Sequence, residues 1–443
     1  MKITFIKPNI GRREHSLYVD EGRMEPLMLG ILAGMTPPDV ECVLYDDRME
    51  PIPFDDPTDL AAITVETYTA RRAYEIAADY RSRGVPVILG GMHITLLPNE
   101  AAQHADSIFL GDAETIWAGV VEDARRGRLK PRYEAPPGVA QVGGVFPRRE
   151  LFRGKGYLPI ALMQYIRGCP FGCRFCAVSR YFDRKYYVRA IDDVLREIEA
   201  QDRHFLFFID DNIASDHKAL AELCRGLIGM NLHWVSQASL DVTRNPELMR
   251  LLQRAGNWGN VMGFESITRE SLRDAKKAIN LPHVSGYKEA VHILREHGMQ
   301  TWAAFTLGYD HDTQASIAAT VDFALESKFA FAAYNILMPY PNTPLYRALE
   351  QDGRLLYDGQ WWLHPEYRFN AAAFVPQLMR PEELTAACHA ARVRFNTFSS
   401  LVHRFADVKT HCRSLARAAN YWYYAGIFRR EIYKKHGMRF GIR

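Results

Sequence analysis

The stretch RGCPFGCRFCAVSR, Arg167 to Arg180, holds three of the chain's seven cysteines, at Cys169, Cys173 and Cys176. Cysteine thiolates are soft ligands suited to zinc or to iron-sulfur clusters. A structural zinc site is closed by four ligands that typically arrive as two pairs, and no second pair exists here, so zinc is a poor fit. A redox pair of Cys173 and Cys176 would leave Cys169 without a role. Three thiolates suit three corners of a [4Fe-4S] cluster and leave the fourth iron open to a small ligand, which is a catalytic feature. An odd number of cysteines gathered in one place also does not look like a secreted disulfide framework.

The loop needs strands and helices to hold it. Before it, KITFI, VECVLYD, LAAITV, VPVILGG and SIFLGD read as strands, and RRAYEIAADYRSRG as a helix with Ala73, Ile76 and Ala77 at helical spacing. This alternation predicts a doubly wound, Rossmann-like α/β domain over residues 1–135. A Gly- and Pro-rich linker follows over 136–158. From Leu162 the alternation restarts with strands at ALMQYI, HFLFFI, LHWVS, NVMGF, QTWAAFTL and FAAYNIL. Six strand-helix units in series predict a partial parallel (β/α)6 barrel over 159–350, whose first strand leads into the cysteines. Asn245 as N-cap, Pro246 at N1 and Gly256 past the end delimit one helix, and Asp216 is a candidate cap for another. Residues 351–443 read as a helix-rich C-terminal region, with PEELTAACHAARVRF its clearest helix. Trp361, Trp362 and Tyr340 suit either an apolar pocket or domain packing.

Composition bounds the function. The 443 residues exceed one ordinary core, and 55 basic against 52 acidic residues give no support to nucleic acid as a partner. In MKITFIKPNIGRRE, Lys7 interrupts the apolar run, so the start reads as a strand and not as a signal peptide. No stretch approaches a membrane span, and a cytoplasmic protein is expected. The terminal YWYYAGIFRREIYKKHGMRFGIR mixes aromatics with Arg429, Arg430, Lys434 and Lys435; a solvated basic helix face is the simpler reading, contact with an anionic surface the sharper one.

The spacing C-x3-C-x2-C, with Phe175 before the last cysteine and a barrel strand before the loop, resembles the signature of radical S-adenosylmethionine (SAM) enzymes. The resemblance implies an open iron that chelates SAM, and one electron that breaks a carbon-sulfur bond to give a radical. It also implies roles at later strand ends. Asp210, Asp211 and Asn212 fall where the superfamily contacts the SAM amino group, and Gln237 ends strand three. Glu265 and Ser266 in GFES fall where relatives place polar contacts to SAM, and Gly308 would let backbone approach the adenine. A small-molecule substrate and a flavodoxin- or ferredoxin-type electron donor are the implied partners.

A doubly wound domain before such a barrel is similar to the cobalamin-binding radical SAM group, which includes many methylases and the anaerobic magnesium-protoporphyrin cyclase. ILGGMHITLLPNEAAQHADSIFLGDAE and MPYPNTPLYRALEQDGRL carry the likeness. In that reading Gly90 and Gly91 give close backbone approach for the cobalamin nucleotide tail, Thr64 and Thr67 supply hydroxyls, and His93 and Glu114 are corrin-side groups. The D-x-H-x-x-G motif that brings a histidine to cobalt in methionine synthase-like domains is absent, and PNIGRR stands in its place. The implied activity is methyl transfer to an unreactive carbon. The rival readings are cobalamin-independent transfer of a 3-amino-3-carboxypropyl group to a thiolate or arsenite, and a radical cyclisation or rearrangement. No second three-cysteine set precedes the barrel, which argues against a methylthiotransferase.

Overall fold

A computed structural model describes residues 1–11, 23–135, 143–282 and 284–442. Expected linker residues 136–142 lie outside the described residues. The chain divides into two compact units. Unit 1 comprises Met1–Leu158, Tyr357–Phe369 and Gly437–Arg443; unit 2 comprises Pro159–Leu356 and Asn370–His436.

Unit 1 is built on a parallel sheet of β1 (Lys2–Lys7), β2 (Glu41–Asp46), β3 (Leu60–Thr64), β4 (Val87–Gly90), β5 (Ser107–Leu110) and β6 (Arg132–Glu134). Their spatial order is β2-β1-β3-β4-β5-β6, with Ile3 between Cys42 and Leu60 in register. β1 and β3 are buried along nearly their whole length, as expected of central parallel strands covered on both faces. On one face Leu29, Ala33, Trp117 and Val120 pack over Ile3 and Phe5. Each such fully buried aliphatic side chain contributes about 1.5–3 kcal/mol. The order reverses between β1 and β3, so the sheet has its switch point where those strands end.

Residues expected to be linker or helical tail also take part in unit 1. Phe152 is buried in its core. Gly441 bridges to Gly11 and Arg439 to Arg368. The Tyr68 ring meets those of Trp361, Phe369 and Phe440 at 5.1, 5.6 and 5.8 Å. Trp361 and Trp362 are therefore core residues of this unit, fully enclosed.

Unit 2 holds β7 (Ala161–Met163), β8 (Ile166–Gly168), β9 (Tyr186–Val188), β10 (Phe205–Phe208), β11 (His233–Ala238), β12 (Asn257–Glu265), β13 (Trp302–Leu307) and β14 (Phe331–Ile336). Six form one parallel sheet in the order β7-β10-β11-β12-β13-β14, each beside its predecessor in the wall. This is the singly wound order of a partial (β/α) barrel. The expected single strand ALMQYI is instead two. The Tyr165 amide donates to the Asp210 carboxylate at 2.8 Å and not to a neighbouring strand, and β8 turns away to pair antiparallel with β9. Helix Pro381–Phe395 matches its expected span, and Asp216 and Asn245 cap their helices through side-chain oxygens. Among the described residues no helix is long and apolar enough to cross a membrane.

Candidate functional site

The cysteines occupy the loop between β8 and the short helix Ala177–Tyr181. Gly168 starts it with a φ of +82°, and a Cβ there would sit 2.3 Å from the Lys185 carbonyl oxygen, so only glycine allows the turn. Two backbone bonds clamp its centre: the Arg174 amide donates to the Ala275 carbonyl at 3.0 Å, and the Leu345 amide donates to the Arg174 carbonyl at 2.9 Å. Ser179 Oγ donates to the Phe171 carbonyl at 2.6 Å. Cys173 is buried and Cys169, Phe175 and Cys176 half-buried, and all three thiols are free of disulfides.

The end of β10 meets this loop. Asp211 Oδ2 accepts from the Gly168 amide at 2.7 Å. Asn212 Nδ2 lies 3.9 Å from Cys169 Sγ, while its Oδ1 accepts from the Ala214 and Ser239 amides, both at 3.1 Å. Asp210 differs from its expected role. Its side chain is fully buried, with Oδ1 bound to the Tyr165 amide and Oδ2 without a hydrogen-bond partner among the described residues, and burial pushes its pKa up to about 8. Asp210 is thus a backbone anchor, and Asp211 is the carboxylate that reaches the cysteine loop. Gln237, at the end of β11, donates to the Asp210 carbonyl at 3.2 Å.

β12 ends in a register shift between Gly263 and Glu265, and Glu265 has a φ of +61°. Such a bulge re-aims a side chain, and the left-handed conformation costs a non-glycine residue on the order of 1 kcal/mol. Glu265 Oε1 accepts from Lys277 Nζ at 3.0 Å, and Oε2 accepts from Thr306 Oγ1 at 2.7 Å. The pair is largely enclosed, with side-chain exposures of 16% for Lys277 and 9% for Glu265. Burial opposes the Lys277 charge, but Glu265 and then Cys173 outweigh it and raise its pKa. Cys173 is pushed up to about 11 by burial, against the pull of Lys277, and burial likewise raises Cys169. Ser266 is buried beside this pair, its hydroxyl accepting from the Thr268 amide at 3.2 Å. Gly308, φ +105°, donates its amide to Asp312 Oδ2 at 2.8 Å.

Sequence reasoning missed Lys277 and Thr306. Lys277 follows Lys276 in a run with no strand or cap signal, so nothing local says which lysine turns inward; Thr306 sits inside an ordinary strand. Among the described residues no group of three His, Cys, Asp or Glu side chains is arranged to hold a metal ion. A cubane asks for less convergence, because each thiolate ligates a different iron. Three free thiols on one clamped loop beside a lysine fit that demand, and the raised pKa values of Cys169 and Cys173 mean that metal binding there displaces protons.

In unit 1, Thr64 ends β3 in register with Gly90 of β4. Gly91 has a φ of +109°, and a Cβ on it would lie 2.8 Å from the Val65 carbonyl oxygen, whereas at Gly90 a Cβ would meet only Phe109 at 3.6 Å. Thr64 Oγ1 donates to Met28 Sδ at 2.9 Å. His93 is fully buried, with Nδ1 3.3 Å from Thr67 Oγ1 and Nε2 3.0 Å from Glu100 Oε1, so neither ring nitrogen is spare. Glu100 also accepts from Tyr74 and from Trp362. Glu114 is half-buried in the turn Ala113–Thr115. At the switch point, Asn9 follows β1 with a buried side-chain amide whose Nδ2 has no partner among the described residues.

A singly wound parallel sheet with a three-thiol loop at the C-terminal ends of its strands defines a barrel enzyme whose chemistry needs thiolate-held metal. Residues 163–324 match the model of the Radical SAM superfamily, so this part of the chain is a radical SAM domain. It is a radical SAM enzyme, and its cofactors include a [4Fe-4S] cluster and SAM. The chain is 28% identical to bacteriochlorophyllide d C-12(1)-methyltransferase of Chlorobaculum tepidum, over 84% of this chain and 83% of that one. Among solved structures it resembles the cobalamin-dependent radical enzyme OxsB, with a TM-score of 0.64 and 13% identity, over 98% of this chain and 71% of that one. It also resembles the methyltransferase TsrM of Kitasatospora setae, solved with cobalamin and a [4Fe-4S] cluster, with a TM-score of 0.59 and 18% identity, over 79% of this chain and 75% of that one. Both of these are likenesses of fold.

Proposed function

We propose that the protein transfers a methyl group from SAM to an unreactive carbon of a small molecule, with the [4Fe-4S] cluster on Cys169, Cys173 and Cys176 and cobalamin in unit 1. The observation that carries this reading is the presence in one chain of two parallel sheets of different winding, one ending in a three-thiol loop, the other in a switch point with a buried asparagine whose Nδ2 has no partner among the described residues. The methyltransferase named among its relatives supports methyl as the fragment moved.

When bound, the cluster supplies the electron that breaks a carbon-sulfur bond of SAM, and cobalamin supplies a carrier for the methyl group. The chain's own residues hold and tune. Asp211, Asn212 and the Arg174 clamp fix the loop so that the thiols are presented in one arrangement. Lys277 places a cation beside Cys173, which favours its thiolate, and Glu265 keeps that cation oriented. Phe175, Gln237, Ser266 and Gly308 would hold SAM. In unit 1, Thr64, Gly90, Gly91 and Asn9 would hold cobalamin, while both nitrogens of His93 are already engaged by Thr67 and Glu100 and would not be offered to it. A flavodoxin- or ferredoxin-type donor in the cytoplasm supplies electrons.

One anaerobic experiment tests this: reconstitute the protein, measure iron, sulfide and corrinoid, and identify the products of SAM. Deoxyadenosine together with S-adenosylhomocysteine is the expected pair. Methylthioadenosine would point to aminocarboxypropyl transfer, and deoxyadenosine alone to a cyclisation or rearrangement; either overturns the methyl assignment. Cys173→Ala should lose bound iron and all reductive cleavage together, and a variant that still cleaves SAM would remove the loop's role.

A further inference from the structure

We propose that the hairpin of helices Phe398–Phe405 and Leu415–Lys435 in unit 2 docks the protein on an anionic lipid surface. Six of the ten exposed large apolar or aromatic side chains among the described residues fall between Phe398 and Tyr433. Leu415 is 92% exposed, Val408 74% and Phe398 62%, values that a side chain with nothing to contact in its own fold reaches only at a cost in hydration. They are also ordered. Phe398 and Val402 are one helical turn apart, Leu415 and Tyr423 lie two turns apart on the next helix, and the Phe398 ring comes within 6.4 Å of the Trp422 ring, joining the two faces. Val408 projects from the loop between the helices.

Charge selects the occupant. Residues 384–430 contain eight lysines and arginines and a single acid, Asp407; of the eight, Arg404 is buried, and Arg394 and Lys409 are paired with Asp322 and Glu296. Asp407 is buried and held by Arg295 at 2.7 Å, so it does not offset the surface charge. Arg413 and Arg429 are exposed and carry no ion pair among the described residues. A symmetric contact with a second copy would set this cationic surface against itself. A bilayer with acidic headgroups instead accepts the apolar side chains at the acyl boundary, the Trp and Tyr rings at headgroup level and the arginines among the phosphates. The helices need not span the membrane to do so.

The test is vesicle flotation with the full-length, cluster-loaded protein. Vesicles of phosphatidylcholine with one third phosphatidylglycerol should retain about ten-fold more protein than phosphatidylcholine alone, and added salt should release it. Phe398→Asp combined with Leu415→Asp, and separately Arg413→Glu combined with Arg429→Glu, should each reduce retention to the neutral-vesicle level. These positions are exposed, and unchanged circular dichroism and iron content would confirm intact folding. Equal retention on neutral vesicles, no retention on either, or variants that bind like the parent would overturn the proposal. So would a dimer in sedimentation that Leu415→Asp disperses, since a second copy would then cover the face.

Discussion

Both units rest on six parallel strands, yet they gather their candidate site residues in different ways. In unit 1 the order β2-β1-β3 reverses direction beside β1, so one crevice opens and only the ends of adjacent strands border it. In unit 2 every strand follows its predecessor around the wall, and the loops after successive strands contribute in turn: the cysteines, Asp211, Gln237, Glu265 and Gly308. The helix starts differ as well. Asp216, Asn245, Thr268, Thr313 and Thr343 of unit 2 each cap a helix through a side-chain oxygen, whereas among the described residues no α-helix of unit 1 has a side-chain cap. A winding that draws on many loops fixes each loop locally; a winding that draws on one crevice leaves more to the backbone around it.

If this contrast is right, damage to one sheet's loops should register in that unit's cofactor alone. The largest effect is expected from Asp210. Its native pKa of about 8 lies above the ordinary carboxyl value of about 3.9, so the native state keeps a proton that the unfolded state gives up. Stability should therefore fall as pH rises from about 4 to about 8 and level off above, by an amount on the order of several kcal/mol. Asp210→Asn keeps an acceptor for the Tyr165 amide and should flatten this slope in urea titrations across that range; an unchanged slope would show that the buried carboxyl is not its source.

Lys277→Met comes next. It strands Glu265 in a largely buried position with only Thr306 for company, at a cost of roughly 3 kcal/mol, and removes the cation beside Cys173. Thermal unfolding should report the first effect and iron content after reconstitution the second. Adding Glu265→Gln should recover part of the stability but not the iron, which separates the ion pair from the cluster's need for a cation. The smallest effect belongs to unit 1. Gly91→Ala meets both a φ of +109° and the Val65 carbonyl, and should cost about 1–3 kcal/mol. Corrinoid content should drop while iron per chain stays constant; a parallel loss of iron would break the comparison.

Much of unit 2 was legible because its signals are local. The cysteine spacing, the caps Asp216 and Asn245 and the helix 381–395 each depend on neighbours in sequence. The break of ALMQYI into two strands was not legible, since it depends on a carboxylate 45 residues away taking the Tyr165 amide. Lys277 escaped for the same reason: Glu265, which it pairs with, and Cys173, whose charge it feels, come from separate segments, and Glu265 is held in turn by Thr306 from a third. His93 drew attention as a chemical group, and its neighbours Thr67, Glu100 and Trp362 show why residue type is not enough.

Sequence by itself determined the composition of the site: three thiols at a spacing suited to a cluster, glycines where the backbone must turn, and the periodicities that make strands and helices. These are properties of short stretches, set by covalent spacing and local sterics. Tertiary structure decided which of two aspartates reaches the cysteine loop, which of two lysines faces it, and that residues 357–369 and 437–442 join the unit begun at the first residues of the chain. Those outcomes depend on burial and on pairing between distant segments, where the penalty for an unpartnered charge or backbone group selects one arrangement from several that the local sequence allows equally well.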